Sequence, residues 1–87
     1  MAPKMRPIEV ISHNDLQGTI HPLRFRMEIE DQALQTVRVD KVLLRKETMV
    51  AGMRSQSFSC RSIVAEFIHH YELTYELATC KWFLSKW

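Results

Sequence analysis

From Leu23 to Glu30 apolar and charged residues alternate without interruption. Leu23, Phe25, Met27 and Ile29 fall on one phase, and Arg24, Arg26, Glu28 and Glu30 on the other. This period is that of a β-strand with one buried and one solvated face, since successive side chains on a strand point to opposite sides. A helix would scatter the same apolar residues around its circumference. Pro22 is compatible with the start of such a strand or with an edge. One half-buried strand is not stable alone, so the rest of the chain must supply the surface that covers it.

The other segments carry the same signal. Ile8 to His13 is a strand candidate, ended by the turn-forming Asn14, Asp15 and Gly18. The strand signal around Leu23 extends from Thr19 to Glu30, and Glu30 to Ala33 is polar enough to turn. Thr36 to Leu44 is rich in β-branched residues, but Val37 and Val39 share one phase while Val42 and Leu44 share the other. A phase change at Asp40–Lys41 is what a β-bulge produces; the alternative is a strand buried on both faces. Arg45 to Thr48 reads as a charged connection and Gly52 as a turn. Met53 to Ser62 is a polar strand suited to a sheet edge, and Ile63 to Glu66 a turn. Phe67 to Leu77 alternates again. Its Val64, Phe67, Ile68, Tyr71 and Tyr75 also fit helical spacing, but tyrosine and threonine favour the pleated surface. Cys80, Trp82 and Leu84 begin a last strand, with Phe83 on its other face.

The expected fold is therefore all-β: a small six-stranded SH3-like barrel, mostly antiparallel, over residues 6–87, preceded by a flexible leader at residues 1–5. Its expected core is Ile8, Val10, Leu23, Phe25, Met27, Ile29, Val37, Val39, Leu73, Tyr75, Leu77, Trp82 and Leu84. A chain of 87 residues is one domain with a thin core, so a homo-oligomer is a natural outcome. No apolar run reaches the roughly 20 residues that span a bilayer, and residues 1–10 lack the features of a secretory signal. Two cysteines make no disulfide framework. These features predict a cytoplasmic protein with reduced thiols and no membrane partner.

Four pieces of the chain carry a resemblance: PLRFR at 22–26, VRVDKV at 37–42, AGMRSQSFSCRS at 51–62 and YELTYELATCKWFL at 71–84. The last is the most distinctive. Together they resemble a family of short uncharacterised proteins from Gram-positive anaerobic bacteria, over most of the chain beyond residue 7. That family has no assigned activity, so the resemblance implies no catalytic residue. It implies an Asn-Gly turn between the last two long strands, where Ile63 to Glu66 stand here.

Candidate chemistry is sparse. His13, His21, His69, His70, Cys60 and Cys80 are zinc-ligand types, but zinc sites pair ligands at short spacing, and the two cysteines are 20 positions apart. No nucleophile–base–orienter set is legible, so the chain is read as non-enzymatic and without cofactor. The carboxylate pairs Glu28/Glu30 and Glu72/Glu76 read as strand-surface partners for Arg and Lys. Two binding readings remain. Phe83, Trp87 and Met53 exceed what so small a core can hold, which points to a protein partner or homodimerisation through the C-terminal aromatics. The alternative is single-stranded nucleic acid, held by Arg24 and Arg26 on one face, joined by Arg38 if the strands pair as a meander, beside Trp82, Phe83 or Trp87; Glu28, Glu30 and Asp40 interleave there and would repel phosphate.

Overall fold

The computed structural model describes residues 5–28 and 33–87. Residues 1–4 of the expected leader and the expected core residue Ile29 lie outside them. The strands are β1 (Arg6–Asn14), β2 (Ile20–Glu28), β3 (Leu34–Arg38), β4 (Lys41–Val50), β5 (Met53–Val64), β6 (Phe67–Glu76) and β7 (Lys81–Ser85). They form one antiparallel sheet in the order β3-β2-β1-β7-β6-β5-β4. The all-β, barrel-like expectation holds, and residues 67–76 are strand rather than helix. The sheet curls on itself but leaves β3 and β4 as edges, so the barrel is not closed.

Among the described residues seven strands stand where six were expected, because the Thr36–Leu44 segment is two strands. The phase change at Asp40 is not a bulge. The Val39 amide donates to the Leu23 carbonyl on β2 at 2.9 Å, and the Asp40 amide donates to the Arg61 carbonyl on β5 at 3.1 Å. The chain passes between ladders here, from one flank of the curled sheet to the other. Arg45 to Thr48, expected as a connection, continues β4. Met53 to Ser62, expected at an edge, lies in β5, between β4 and β6.

Two bulges do occur. Between Ile11 and Ser12 the β1 register steps from Arg24 to Pro22, leaving Leu23 as the extra residue. Pro22 therefore turns inward and is buried, while Leu23, expected in the core, is 48% exposed. The second bulge makes Leu43 the extra residue of β4, between Val42 and Leu44.

The core is Phe25, Met27, Val37, Phe58, Cys60, Tyr71, Leu73, Trp82 and Leu84, with Ile8, Val10, Val39 and Tyr75 packed against it. Leu77 is only half-buried, after the end of β6. Tyr71 meets Phe25 edge-on at 5.4 Å, and Trp82 lies between Phe58 at 5.5 Å and Tyr75 at 4.8 Å. Burial of its ring pushes the Tyr71 hydroxyl up to about 12. The Ser62 hydroxyl donates to the Arg38 carbonyl at 2.6 Å and accepts from Tyr71, so one serine clasps the end of β3 to β5 and β6.

Two hairpins have two-residue turns with positive φ at both central positions, the type I′ geometry that suits the twist of paired strands. One is Ala51 (φ 50°) and Gly52 (φ 80°), between Val50 and Met53. The other is Ala65 (φ 50°) and Glu66 (φ 70°), between Val64 and Phe67. The second fills the place where the family resemblance implies Asn-Gly. A shorter turn than Ile63–Glu66 results, and two non-glycine residues occupy a left-handed conformation that costs each roughly 1–2 kcal/mol.

Candidate functional site

Three groupings of side chains stand out. The first is the end of the molecule formed by the β5–β6 hairpin. Ile63 and Ile68 are cross-strand partners on the outer face, 63% and 62% exposed, and Phe67 at the turn is 71% exposed. Cross-strand neighbours lie about 5 Å apart, so Ile63 and Ile68 touch on the outer face, while Phe67, next to Ile68 on β6, points to the opposite face of the hairpin tip. His69 shares the phase of Phe67 on β6, and the Trp87 indole stacks on it at 4.5 Å with planes 9° apart. Trp87 also packs against Tyr71 at 5.2 Å and Phe25 at 6.2 Å, and remains 40% exposed.

The expected partner-binding residues are thus dispersed. Trp87 covers this end of the core. Phe83 is half-buried on the outer face of β7, between Pro7 of β1 and Thr74 of β6. Met53 is half-buried beside the other hairpin turn, paired with Val50. The exposed apolar trio was not singled out from the sequence. Its signal was there: Ile63, Val64, Phe67 and Ile68 flank a turn that has no polar loop around it.

The second grouping is the solvated face of β1, β2 and β3. Arg24 pairs directly with Arg38 and Arg26 with Thr36, so the three arginines expected to share a face do so. Arg26 is bound to Glu9 of β1. A depression of about 430 Å³ lies here, lined by residues including Ile11, Arg24, Arg26 and Thr36. The aromatics expected beside it are elsewhere: Trp82 is in the core and Trp87 is at the hairpin end.

The third is a polar chain at the start of β2. The Asp15 carboxylate accepts from the Gln17 and Thr19 amides, each at 2.9 Å, which fixes the β1–β2 turn around Gly18. Its other oxygen is 3.0 Å from Nε2 of His21, and Nδ1 of His21 is 3.0 Å from the Arg45 guanidinium. Arginine can only donate, so Nδ1 must accept and the proton sits on Nε2, donating to Asp15. Arg45 also donates to the Ile20 carbonyl at 3.4 Å and lies over the Phe58 ring at 5.9 Å. The chain ends on a cation, with no hydroxyl or thiol among these contacts; it ties β4 to β2 across the open side of the sheet.

The His21 hydrogen bond, followed by that from the Thr19 amide, holds the Asp15 carboxyl below its ordinary value. A depressed carboxylate stabilises the fold above its unfolded pKa, and that contribution is lost as pH falls through the folded pKa. Asp15→Asn is therefore expected to lower stability at neutral pH and to flatten the decline on acidification below about pH 4. Urea midpoints measured from pH 7 to pH 2 check this; parallel curves for the two proteins would refute it.

The remaining candidates do not converge. His13 stacks beside His21 at 6.0 Å, and His70 points away from His69 on the opposite face of β6. Cys60 is buried, and burial pushes its thiol up to about 12, where it is protonated and unreactive at neutral pH. Cys80 is exposed in the β6–β7 turn. Among the described residues no three histidine, cysteine or acidic side chains come together to hold a metal ion. No helix of the described residues is long and apolar enough to cross a membrane. Comparison with family models, curated proteins and solved structures gives no match to this chain.

Proposed function

We propose that the protein is a non-enzymatic binding module that associates with a second copy of itself through the β5–β6 hairpin end. The observation that carries this reading is the exposure of Ile63, Phe67 and Ile68, each above 60%, at the tip of one hairpin, with the isoleucines on one face and Phe67 on the other. An apolar patch of this kind on a small domain marks an interaction site. A two-fold contact asks nothing of its partner surface beyond its own apolar character, so the patch is its own complement. This reading keeps the homodimerisation expected from the sequence but moves its centre. Trp87 borders the contact through His69, while Phe83 and Met53 lie outside it.

Few side chains are involved, and association carries its own entropic cost, so the affinity is expected to be weak, on the order of 100 µM. Sedimentation equilibrium up to about 1 mM protein should show reversible dimerisation. The double variant Phe67→Ser, Ile68→Ser should remain monomeric with an unchanged circular dichroism spectrum. A wild type that is monomeric throughout this range would refute the proposal.

A further inference from the structure

We propose that Arg24, Arg38, Lys41 and Arg61 form one electropositive belt that binds the phosphate backbone of single-stranded nucleic acid. The belt is independent of the apolar patch and rests on strand register. Arg24 on β2 is directly opposite Arg38 on β3. Lys41 on β4 is directly opposite Arg61 on β5, which in turn is opposite His70 on β6. Directly opposed residues share a face. In both rows that face is the solvated one, because Phe25 and Val37 in the first, and Cys60 and Tyr71 in the second, are the buried neighbours on the other phase.

The two rows meet where the chain crosses between ladders. The Arg38 carbonyl is held by Ser62, and the Asp40 amide by the Arg61 carbonyl. Positive side chains brought from four strands thus run continuously around the corner of the sheet.

Little on this surface neutralises them. Among the described residues Arg24, Lys41 and Arg61 form no ion pair. Arg38 is 87% exposed and, among the described residues, reaches only Asp40, at 4.0 Å. The other Asp40 oxygen accepts the Ile63 amide at 2.7 Å, which engages part of that carboxylate away from the belt. By contrast, Arg26 is matched by Glu9, Arg54 by Glu47 and Lys86 by Glu72. Like charges placed directly opposite destabilise a sheet, so Arg24 facing Arg38 and Lys41 facing Arg61 oppose folding unless an anion lies between them. One phosphate would offer bidentate partners to each guanidinium.

The path is curved and on the order of 20 Å long, given strand spacings near 4.8 Å. A flexible single strand can follow it; a duplex, stiff over about 150 base pairs, cannot bend round a corner of that size. Among the described residues no exposed phenylalanine, tyrosine or tryptophan ring stands within the belt, so the contact is expected to be to phosphate, without sequence preference.

The test is a titration of a labelled oligothymidylate of about ten nucleotides, at salt concentrations from about 20 to 200 mM. With about three to four phosphates neutralised, the logarithm of the binding constant should fall with the logarithm of salt at a slope between about −2 and −3. Arg24→Gln, Arg38→Gln should flatten that slope by about 1.4 and weaken binding at low salt about tenfold or more. Arg61→Gln alone should flatten it by about 0.7. Arg24→Lys, Arg38→Lys should keep the slope, as should Arg54→Gln, which lies off the belt. The glutamine pair should also melt no lower than wild type, since it removes a repulsion. Failure of the wild type to bind at low salt would overturn the proposal. So would an unaltered slope in both glutamine variants, equal affinity for duplex, or a preference for phosphatidylserine vesicles over the oligonucleotide.

Discussion

Phe25→Ala is expected to destabilise the protein by about 3–5 kcal/mol, the range for removing a fully buried aromatic ring from a core. Phe25 is 1% exposed and sits on β2, with its ring against Tyr71 of β6 and the Trp87 indole. It is therefore the side chain through which the β1–β2–β3 flank packs against the β4–β7 flank across the interior. Loss of its ring leaves a cavity bounded by both, which neither can fill without disturbing its own register. Leu23→Ala, two residues away, is expected to cost less than about 1 kcal/mol, because the bulge turns Leu23 to solvent. Urea denaturation of the two variants beside the wild type gives both numbers. Equal losses would mean that the alternation at Leu23 continues inward and that the bulge is absent.

The second large effect concerns Trp87. An indole buries on the order of 200 Å² when fully enclosed. With 40% of Trp87 exposed, Trp87→Ala should cost about 2–3 kcal/mol, from lost contact with Phe25, Tyr71 and His69. Phe67→Ser, by contrast, removes a ring that is 71% exposed, and its stability loss should be below about 1 kcal/mol. The two substitutions are thus expected to separate stability from association: Trp87→Ala in the first, Phe67→Ser in the second. Chemical denaturation and sedimentation of the same two samples check the pair. A Trp87→Ala protein as stable as wild type would show that the indole does not cover the core.

Where a strand has one buried face, its phase was legible in the sequence. Phe25 and Met27 on β2, Leu73 and Tyr75 on β6, and Trp82 and Leu84 on β7 all turn inward as their alternation requires. β4 was harder, because an edge strand exposes most of its residues on both faces and so has no alternation to detect; Arg45 to Thr48 looked like a connection for that reason. β5 misled in the opposite way. Its serines suggested an edge, yet Ser55, Ser57 and Ser62 are buried between strands, and Phe58 and Cys60 belong to the core. Phase also placed Arg24 and Arg26 on one face, to which the simple β2–β3 meander adds Arg38. It could not bring Lys41 and Arg61 to them, because these depend on cross-strand register and on the handover at Asp40, which local pattern does not encode. The same limit hid the hairpin patch, since exposure of Phe67 follows from how far the β5–β6 pair projects beyond its neighbours.

The place of β1 in the sheet governs how the molecule can assemble. β1, β2 and β3 make one local meander, and β4, β5, β6 and β7 another. They are joined edge to edge by three register pairs, Arg6 with Leu84, Pro7 with Phe83 and Ile8 with Trp82. That seam unites the two extremes of the chain. During synthesis, the first meander emerges with Phe25, Met27 and Val37 uncovered and must wait for β7 before they are enclosed. Closing so long a loop is slow compared with forming either hairpin. The interval between the two is when this protein, on a ribosome or in a refolding tube, is most exposed to aggregation.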